Sequence, residues 1–486
     1  MKFINNNYSP LVILFGVVVL LLLLSYGQVE LDYGLFKIKK IDILSQIRQD
    51  KKIVHPQRAL SQTAIASTAP AAVTSQVQAA VSKDIQEEVF PEGFVPVEDF
   101  GAEKNSNMIK FFSSLENESQ DKQIRIAHFG DSLIEGDMIT KDFRFFLQRQ
   151  FGGRGVGFVP ITSNVARFRS TIQHSFSDNW RTQAVVNGSV SKSMAGLAGR
   201  VFFPRKTCHR PDSVTNHISS NSWVEYRALN NKDNKTNSFG LIRLLYGSVK
   251  GEAYVTYALD DGELQTRQLS YGEGLRELII NEDKITRKIQ LCFSSPDDME
   301  VYGMSFEDGP GIYVDNYSLR GASGTYLNKI ENSVYQGFNK LLDYRLIIIQ
   351  YGANIADPNI DNFRWYENQL YEILLKLKSQ FPEAGILVVS AADKSMKSDL
   401  EYKTNPAIPK IVSAQRNAAK KAEVAFWNLY QAMGGENAML KWRRQNLVSD
   451  DYTHFSHAGA KKIADLLSKA LSYGLSHYES SRKIRP

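Results

Sequence analysis

The chain has 486 residues, 43% hydrophobic and 23% charged, the composition of a globular protein long enough for two or more domains. Its net charge of +6, from 58 basic against 52 acidic residues, is scattered and forms no basic face interleaved with aromatics, which argues against a nucleic-acid partner. Two cysteines, Cys208 and Cys292, lack CxxC or Cys/His metal spacing, so they give no redox or metal motif; they are either buried small hydrophobes or one disulfide.

Leu11 to Leu24 is an unbroken apolar run, and Tyr8 to Gly27 is about the 20 residues that a bilayer span needs. Residues 1–30 therefore read as a signal-anchor or a signal peptide, with Ser25-Tyr-Gly27 as a small-x-small cleavage pattern. Lys2 precedes the run while Lys37, Lys39 and Lys40 follow it, so a simple positive-inside count keeps the body cytoplasmic. Large domains translocate largely regardless of such charges. Residues 31–93 read as a juxtamembrane stretch and linker, because Gln57 to Val81 is rich in Ala, Ser, Thr and Gln without a period of large apolar residues.

Folding resumes near Phe94. Met108, Ile109, Phe112 and Leu115 mark a short amphipathic helix, and Ile124-Arg-Ile-Ala-His-Phe129 reads as a strand. Gly130 and Asp131 break that strand and leave Ser132 at a turn, with Ile139, Phe143, Phe146 and Leu147 on one face of a following helix. Strand, turn, exposed serine and helix place a nucleophile at the carboxyl edge of a parallel sheet, beside backbone N–H groups and a helix N-terminus. Alone, Gly-Asp-Ser is equally a good turn and N-cap sequence. Phe151 to Pro160 reads as a glycine-rich loop without the features of a Walker A or dinucleotide motif.

From 163 to 310 the texture changes to short alternating runs such as Gly251–Tyr257, Lys288–Phe293 and Glu300–Phe306, with a hairpin-type turn at Asp260-Asp-Gly262. That pattern predicts a β-sandwich inserted into an α/β domain that spans 94–162 and 311–475, followed by a tail at 476–486. The α/β pattern returns with strands at Leu346–Gln350, Ile386–Ser390 and Val424–Leu429. Helix faces intervene at Leu370 to Phe381 and Ile408 to Lys421, and a closing helix covers Ile463 to Leu471.

Before the last helix comes Asp450-Asp-Tyr-Thr-His454. A serine hydroxyl needs a base within hydrogen-bond reach to act as a nucleophile, and Asp451, three residues before His454, can fix the imidazole tautomer. Asp450 is a second candidate for that orienting role. His454 and His457 also admit a metal-ligand reading, though no third ligand cluster accompanies them. His128 reads as a packing or hydrogen-bonding residue, and Trp180 and Trp223 as either core or sugar-stacking aromatics.

Four separated blocks resemble the SGNH (GDSL-type) hydrolase family: Gly130-Asp-Ser-Leu133, Gly321 within Arg320-Gly-Ala-Ser-Gly324, Gly352-Ala-Asn354, and Asp451-Tyr-Thr-His454. Phe151–Phe158, Val301–Glu307 and Gly311–Asp315 further resemble segments of periplasmic peptidoglycan O-acetylesterases, which carry a carbohydrate-binding-module-like insert. The chain departs from the pattern at Ser318, where a glycine is expected, and at Ile355, where an acidic residue often stands. The resemblance implies a three-layer α/β/α flavodoxin-like domain with a parallel sheet plus the inserted β-sandwich. It implies Ser132 as nucleophile, His454 as base and Asp451 as its orienter, with an oxyanion hole formed by Ser132, Gly321 and Asn354 and with no metal or organic cofactor. It also implies a glycan substrate in the cell envelope and export to the periplasmic side, with the N-terminal segment as inner-membrane anchor. A polysaccharide O-acetyltransferase and a non-catalytic glycan-binding envelope protein are the alternatives.

Overall fold

The computed structural model describes residues 93–101, 106–185, 195–204, 222–229, 235–281, 284–294, 299–398 and 401–483. The apolar run Tyr8–Gly27, the linker and Cys208 lie outside them. Among the described residues no helix is long and apolar enough to cross a membrane.

The α/β elements are β1 (Glu98–Asp99), α1 (Asn107–Glu118), β2 (Gln123–Gly130), α2 (Thr140–Phe151), β3 (Gly311–Ser318), α3 (Asn332–Leu342), β4 (Tyr344–Gln350), α4 (Arg364–Gln380), β5 (Gly385–Val389), α5 (Ala407–Lys421), β6 (Ala425–Trp427) and α6 (His457–Lys483). They build one sheet in the order β1-β6-β5-β4-β2-β3, parallel except where the short β1 meets β6. Without β1 the order is that of a flavodoxin-like doubly wound sheet, whose topological switch point lies between β2 and β4. Successive strand residues face opposite sides. Ile347 and Ile349 therefore join the core under α3, α4 and α5, while Leu346 and Ile348 join the core under α1, α2 and α6. The expected three-layer α/β/α domain is present.

Between α2 and β3 the chain forms two antiparallel sheets that share one buried core, with Val224, Tyr226 and Leu291 from one sheet against Leu244, Met304 and Phe306 from the other. Asp260 and Asp261 take positive φ at the tight turn between strands Tyr254–Leu259 and Gln265–Gln268. The stretch read as a glycine-rich loop is instead a strand, Arg154–Pro160, paired antiparallel with Met299–Asp308. Its glycines answer to crowding: a Cβ at Gly155 would lie 2.4 Å from the Phe306 carbonyl oxygen. Cys292 is buried in this region. Trp180 is also buried, its Nε1–H donating to the Trp223 carbonyl, so it packs rather than offering a sugar platform.

A buried ion network joins the two parts. Arg125 on β2 donates to both carboxylate oxygens of Asp315 on β3, at 3.1 and 2.9 Å, and to Glu307 from the β-rich part. Arg243 donates to the other oxygen of Glu307 at 3.3 Å. The last helix runs past the expected end near Leu471 to Lys483, because Leu475 and Tyr478 continue its packed face, with Tyr478 against Phe112.

Candidate active site

β2 ends at Gly130, and Asp131 begins a turn rather than a helix. The buried Asp131 Oδ1 accepts the Leu133 N–H at 2.9 Å, which closes the turn around Ser132. The expected helix N-terminus is not beside the serine: α2 begins at Thr140, after a short 3-10 turn at Glu135–Asp137. Gly136 and Asp137 both adopt positive φ there, which interrupts helical propagation. Asp137 then folds back to accept two hydrogen bonds from Arg144, at 3.0 and 2.8 Å. Burial opposes its ionisation, but the Arg144 guanidinium outweighs burial and holds the carboxyl well below the usual range.

Three hundred and twenty-two positions further on, His454 Nε2 lies 2.9 Å from Ser132 Oγ. Its Nδ1 lies 2.6 Å from Asp451 Oδ2, and Asp451 Oδ1 accepts the backbone N–H groups of Thr453 and His454 at 3.0 Å each. A carboxylate at Nδ1 favours the tautomer whose Nε2 lone pair faces the serine. Partial burial pushes the Asp451 pKa up, but the bonds from the His454 backbone and ring outweigh that, so the group stays ionised below its ordinary range. Asp450 turns away to pair with Arg443, and His457 opens α6 on the exposed side. The aspartate of the pair is therefore Asp451.

Gly321 is exposed on the loop after β3, in a left-handed conformation (φ 75°). That loop is tied to the Ser132 turn by the Leu319 N–H, which donates to the Gly130 carbonyl at 2.9 Å. Asn354, on the loop after β4, donates through Nδ2 to Asp131 Oδ2 at 2.9 Å and to the Ala322 carbonyl at 3.0 Å. Asp131 sits within the Gly-Asp-Ser block, but no spacing or pattern marks it as the partner of this asparagine. Burial raises the Asp131 pKa from 3.8 to about 6, against the Leu133 N–H, the His454 ring and the Asn354 amide, which favour the ionised form. His128 is fully buried beneath the site, with Nε2 2.9 Å from Gln350 Oε1, as a packing residue should be. Burial lowers its pKa to about 4 despite that bond, so it is neutral at physiological pH.

All four sequence blocks thus meet at the carboxyl edge of the sheet: Ser132 after β2, Gly321 after β3, Asn354 after β4, and His454 from the loop before α6. A carboxylate–imidazole pair within hydrogen-bond reach of a hydroxyl, with the loops of Gly321 and Asn354 alongside, is an arrangement suited to acyl transfer.

The chain matches no protein-family model and no curated protein sequence. A solved peptidoglycan O-acetylesterase superposes with a TM-score of 0.62 at 20% identity, over 78% of this chain and 99% of that one. A carbohydrate esterase family 2 enzyme from Corynascus thermopiles (Myceliophthora fergusii), at 13% identity over 53% of this chain and 94% of its own, has a TM-score of 0.25. A lipase/acylhydrolase from Enterococcus faecalis, at 14% identity over 34% and 77%, has a TM-score of 0.24. The first likeness shows the fold. It is an α/β/α domain carrying a β-rich part, and the likeness extends over nearly the whole of the peptidoglycan O-acetylesterase.

Proposed function

We propose that the protein is a serine esterase that removes O-acetyl groups from a cell-envelope glycan, peptidoglycan in the first instance. The observation that supports this best is the hydrogen-bonded chain Ser132–His454–Asp451 at the switch point of the sheet. The shared fold of a peptidoglycan O-acetylesterase supports the choice of substrate.

In this reading Ser132 Oγ attacks the acetyl carbonyl while His454 Nε2 takes its proton. Asp451 stabilises the imidazolium that results. Charge that develops on the carbonyl oxygen is met by the backbone N–H groups of Ser132 and Gly321 and by the Asn354 amide. His454 then returns the proton to the departing sugar oxygen, which leaves acetyl-Ser132 and a free sugar hydroxyl. Water, deprotonated by His454, attacks the acetyl-serine and releases acetate. The glycan is the partner, and the N-terminal apolar run would hold the body at the periplasmic face of the inner membrane.

The test is an acetyl-ester panel that includes O-acetylated peptidoglycan, with free acetate and acetylated oligosaccharide both measured. Wild type should release acetate and Ser132→Ala should not. Equal inactivity of both across the panel would overturn the esterase, and acetylated oligosaccharide in place of acetate would make the protein a transferase. Protection of the body from external protease in intact cells, lost on opening the outer envelope, tests the location.

A further inference from the structure

The rim beside the Ser132 turn carries more positive charge than its own carboxylates neutralise. Glu135 lies three residues past Ser132 and is buried. Arg320 Nε donates to it at 2.6 Å, and the guanidiniums of Arg200 and Arg169 also lie close enough to feel its charge. The other carboxylate of this group, Asp137, is already held at two points by Arg144. Among the described residues, four guanidiniums (Arg144, Arg169, Arg200 and Arg320) therefore face two carboxylates (Glu135 and Asp137), and two positive charges remain.

One of these cations, Arg169, is cut off from water. Arg169 is 8% exposed, and its Nη1 is buried with no hydrogen-bond partner among the described residues. Arg200 is partly exposed, and no hydrogen bond to its guanidinium forms among the described residues, so its fork is open to an acceptor from outside. A guanidinium stripped of water without an acceptor is costly as a purely structural device. At the partly exposed Arg200 and Arg320 the surplus charge can be met by a carboxylate, which the planar fork binds at two points.

Position relates the cluster to the reaction. Arg320 immediately precedes Gly321. Arg200 follows Gly199, whose backbone packs so closely on the same loop that a Cβ there would lie 2.7 Å from the Tyr326 ring and 3.0 Å from Leu319. Leu319 is in turn bonded to Gly130. One cation thus comes from the loop beside the nucleophile and one from the β-rich part.

We propose that Arg200 and Arg320 bind a carboxylate of the substrate, so that the enzyme prefers acetyl esters carried by an anionic glycan. Arg169 adds positive potential from beneath without touching the ligand. The proposal rests on the esterase reading above. The carboxylate belongs either to the sugar or to a peptide attached to it, and the two present the same chemistry to a guanidinium.

The test is inhibition of neutral acetyl-ester hydrolysis by full-length protein, using three sugars. N-acetylmuramic acid carries a sugar carboxylate, N-acetylmuramyl-L-alanine carries its only carboxylate on the peptide, and N-acetylglucosamine is neutral. At least one acid should inhibit about tenfold or more better than the neutral sugar, with the advantage shrinking as salt rises. Which acid does so identifies the source of the carboxylate. Arg200→Met and Arg320→Met should each erase most of that advantage. Equal inhibition by all three sugars, or an advantage that survives both substitutions, overturns the proposal. If Arg200→Met fails to fold, the half-exposed Arg320 decides the matter through Arg320→Met. If wild type hydrolyses no acetyl ester, the esterase reading fails by itself. Direct calorimetric binding of the same three sugars to wild type and both variants then decides the carboxylate site.

Discussion

Asn354 Nδ2 donates to Asp131 Oδ2 at 2.9 Å and to the Ala322 carbonyl at 3.0 Å, so one side chain joins the nucleophile turn to the loop that carries Gly321. Both amide hydrogens have acceptors, yet the residue is exposed, and in the proposed reaction the oxyanion would compete for one of them. The buried carboxylate of Asp131 fixes the amide orientation in advance, which is what preorganised oxyanion binding requires. Asn354→Ala should therefore lower kcat by about 10²- to 10³-fold and leave KM nearly unchanged. A change confined to KM would move Asn354 from the reaction to ground-state binding.

Asp131 itself links stability to pH. Burial raises its folded pKa to about 6 from an ordinary 3.8, so the fold favours the protonated form. The resulting stability is complete below about pH 4 and is lost as pH rises through about 6, amounting to about 3 kcal/mol. Asp131→Asn abolishes that titration, so its stability relative to wild type should rise by about this amount between pH 4 and pH 7. Its kcat should fall, because an amide at this position cannot accept equally from Leu133 and Asn354. Denaturant unfolding at several pH values checks the first outcome. A stability difference independent of pH would contradict it.

Asp451 and Asp450 are neighbours in sequence with different partners. Asp451→Asn should reduce kcat by about 10²- to 10³-fold, less than the roughly 10⁴ of a fully buried triad acid, because its side chain is half exposed and screened by water. Asp450→Asn, which loses only an exposed pair with Arg443, should stay within about twofold of wild type. Steady-state kinetics on one acetyl ester decides both, and equal losses would refute the assignment.

Much of this was legible in the chain. Continuous apolar runs at Leu346–Gln350 and Ile386–Ser390 and the helix faces from Leu370 and Ile408 read correctly, since burial on one or both faces writes itself into the apolar spacing. The misreadings have local causes. Arg154–Pro160 looked like a loop because its glycines serve close backbone packing against Phe306 and Asp315, a constraint that exists only in three dimensions. The turn after Ser132 hides two left-handed residues, which no periodicity reveals. Ser132, His454 and Asn354 were visible as blocks. The Asp131–Asn354 bond and the Glu135–Arg320 pair were not, since each joins residues about two hundred positions apart that only the parallel sheet brings together.

The Arg125 network predicts a sharp contrast between buried and exposed ion pairs. Arg125→Met leaves Asp315 and Glu307 buried without their common partner and should destabilise the protein by about 3–5 kcal/mol. Arg416→Met, which breaks a partly exposed pair with Glu98, should cost about 0–1 kcal/mol. Chemical denaturation measures both. Similar losses would mean that Arg125 does not bind the sheet to the β-rich part.

The claim that Ser132 attacks the ester is tested most directly by trapping the intermediate. The protein is mixed rapidly with an acetyl ester, quenched in acid within the first turnover and digested for mass spectrometry. The account predicts an acetyl group on the peptide carrying Ser132, absent in Ser132→Ala and strongly depleted in His454→Ala. Hydrolysis that proceeds in wild type with no acetyl adduct at Ser132, or that persists at full rate in Ser132→Ala, would contradict it.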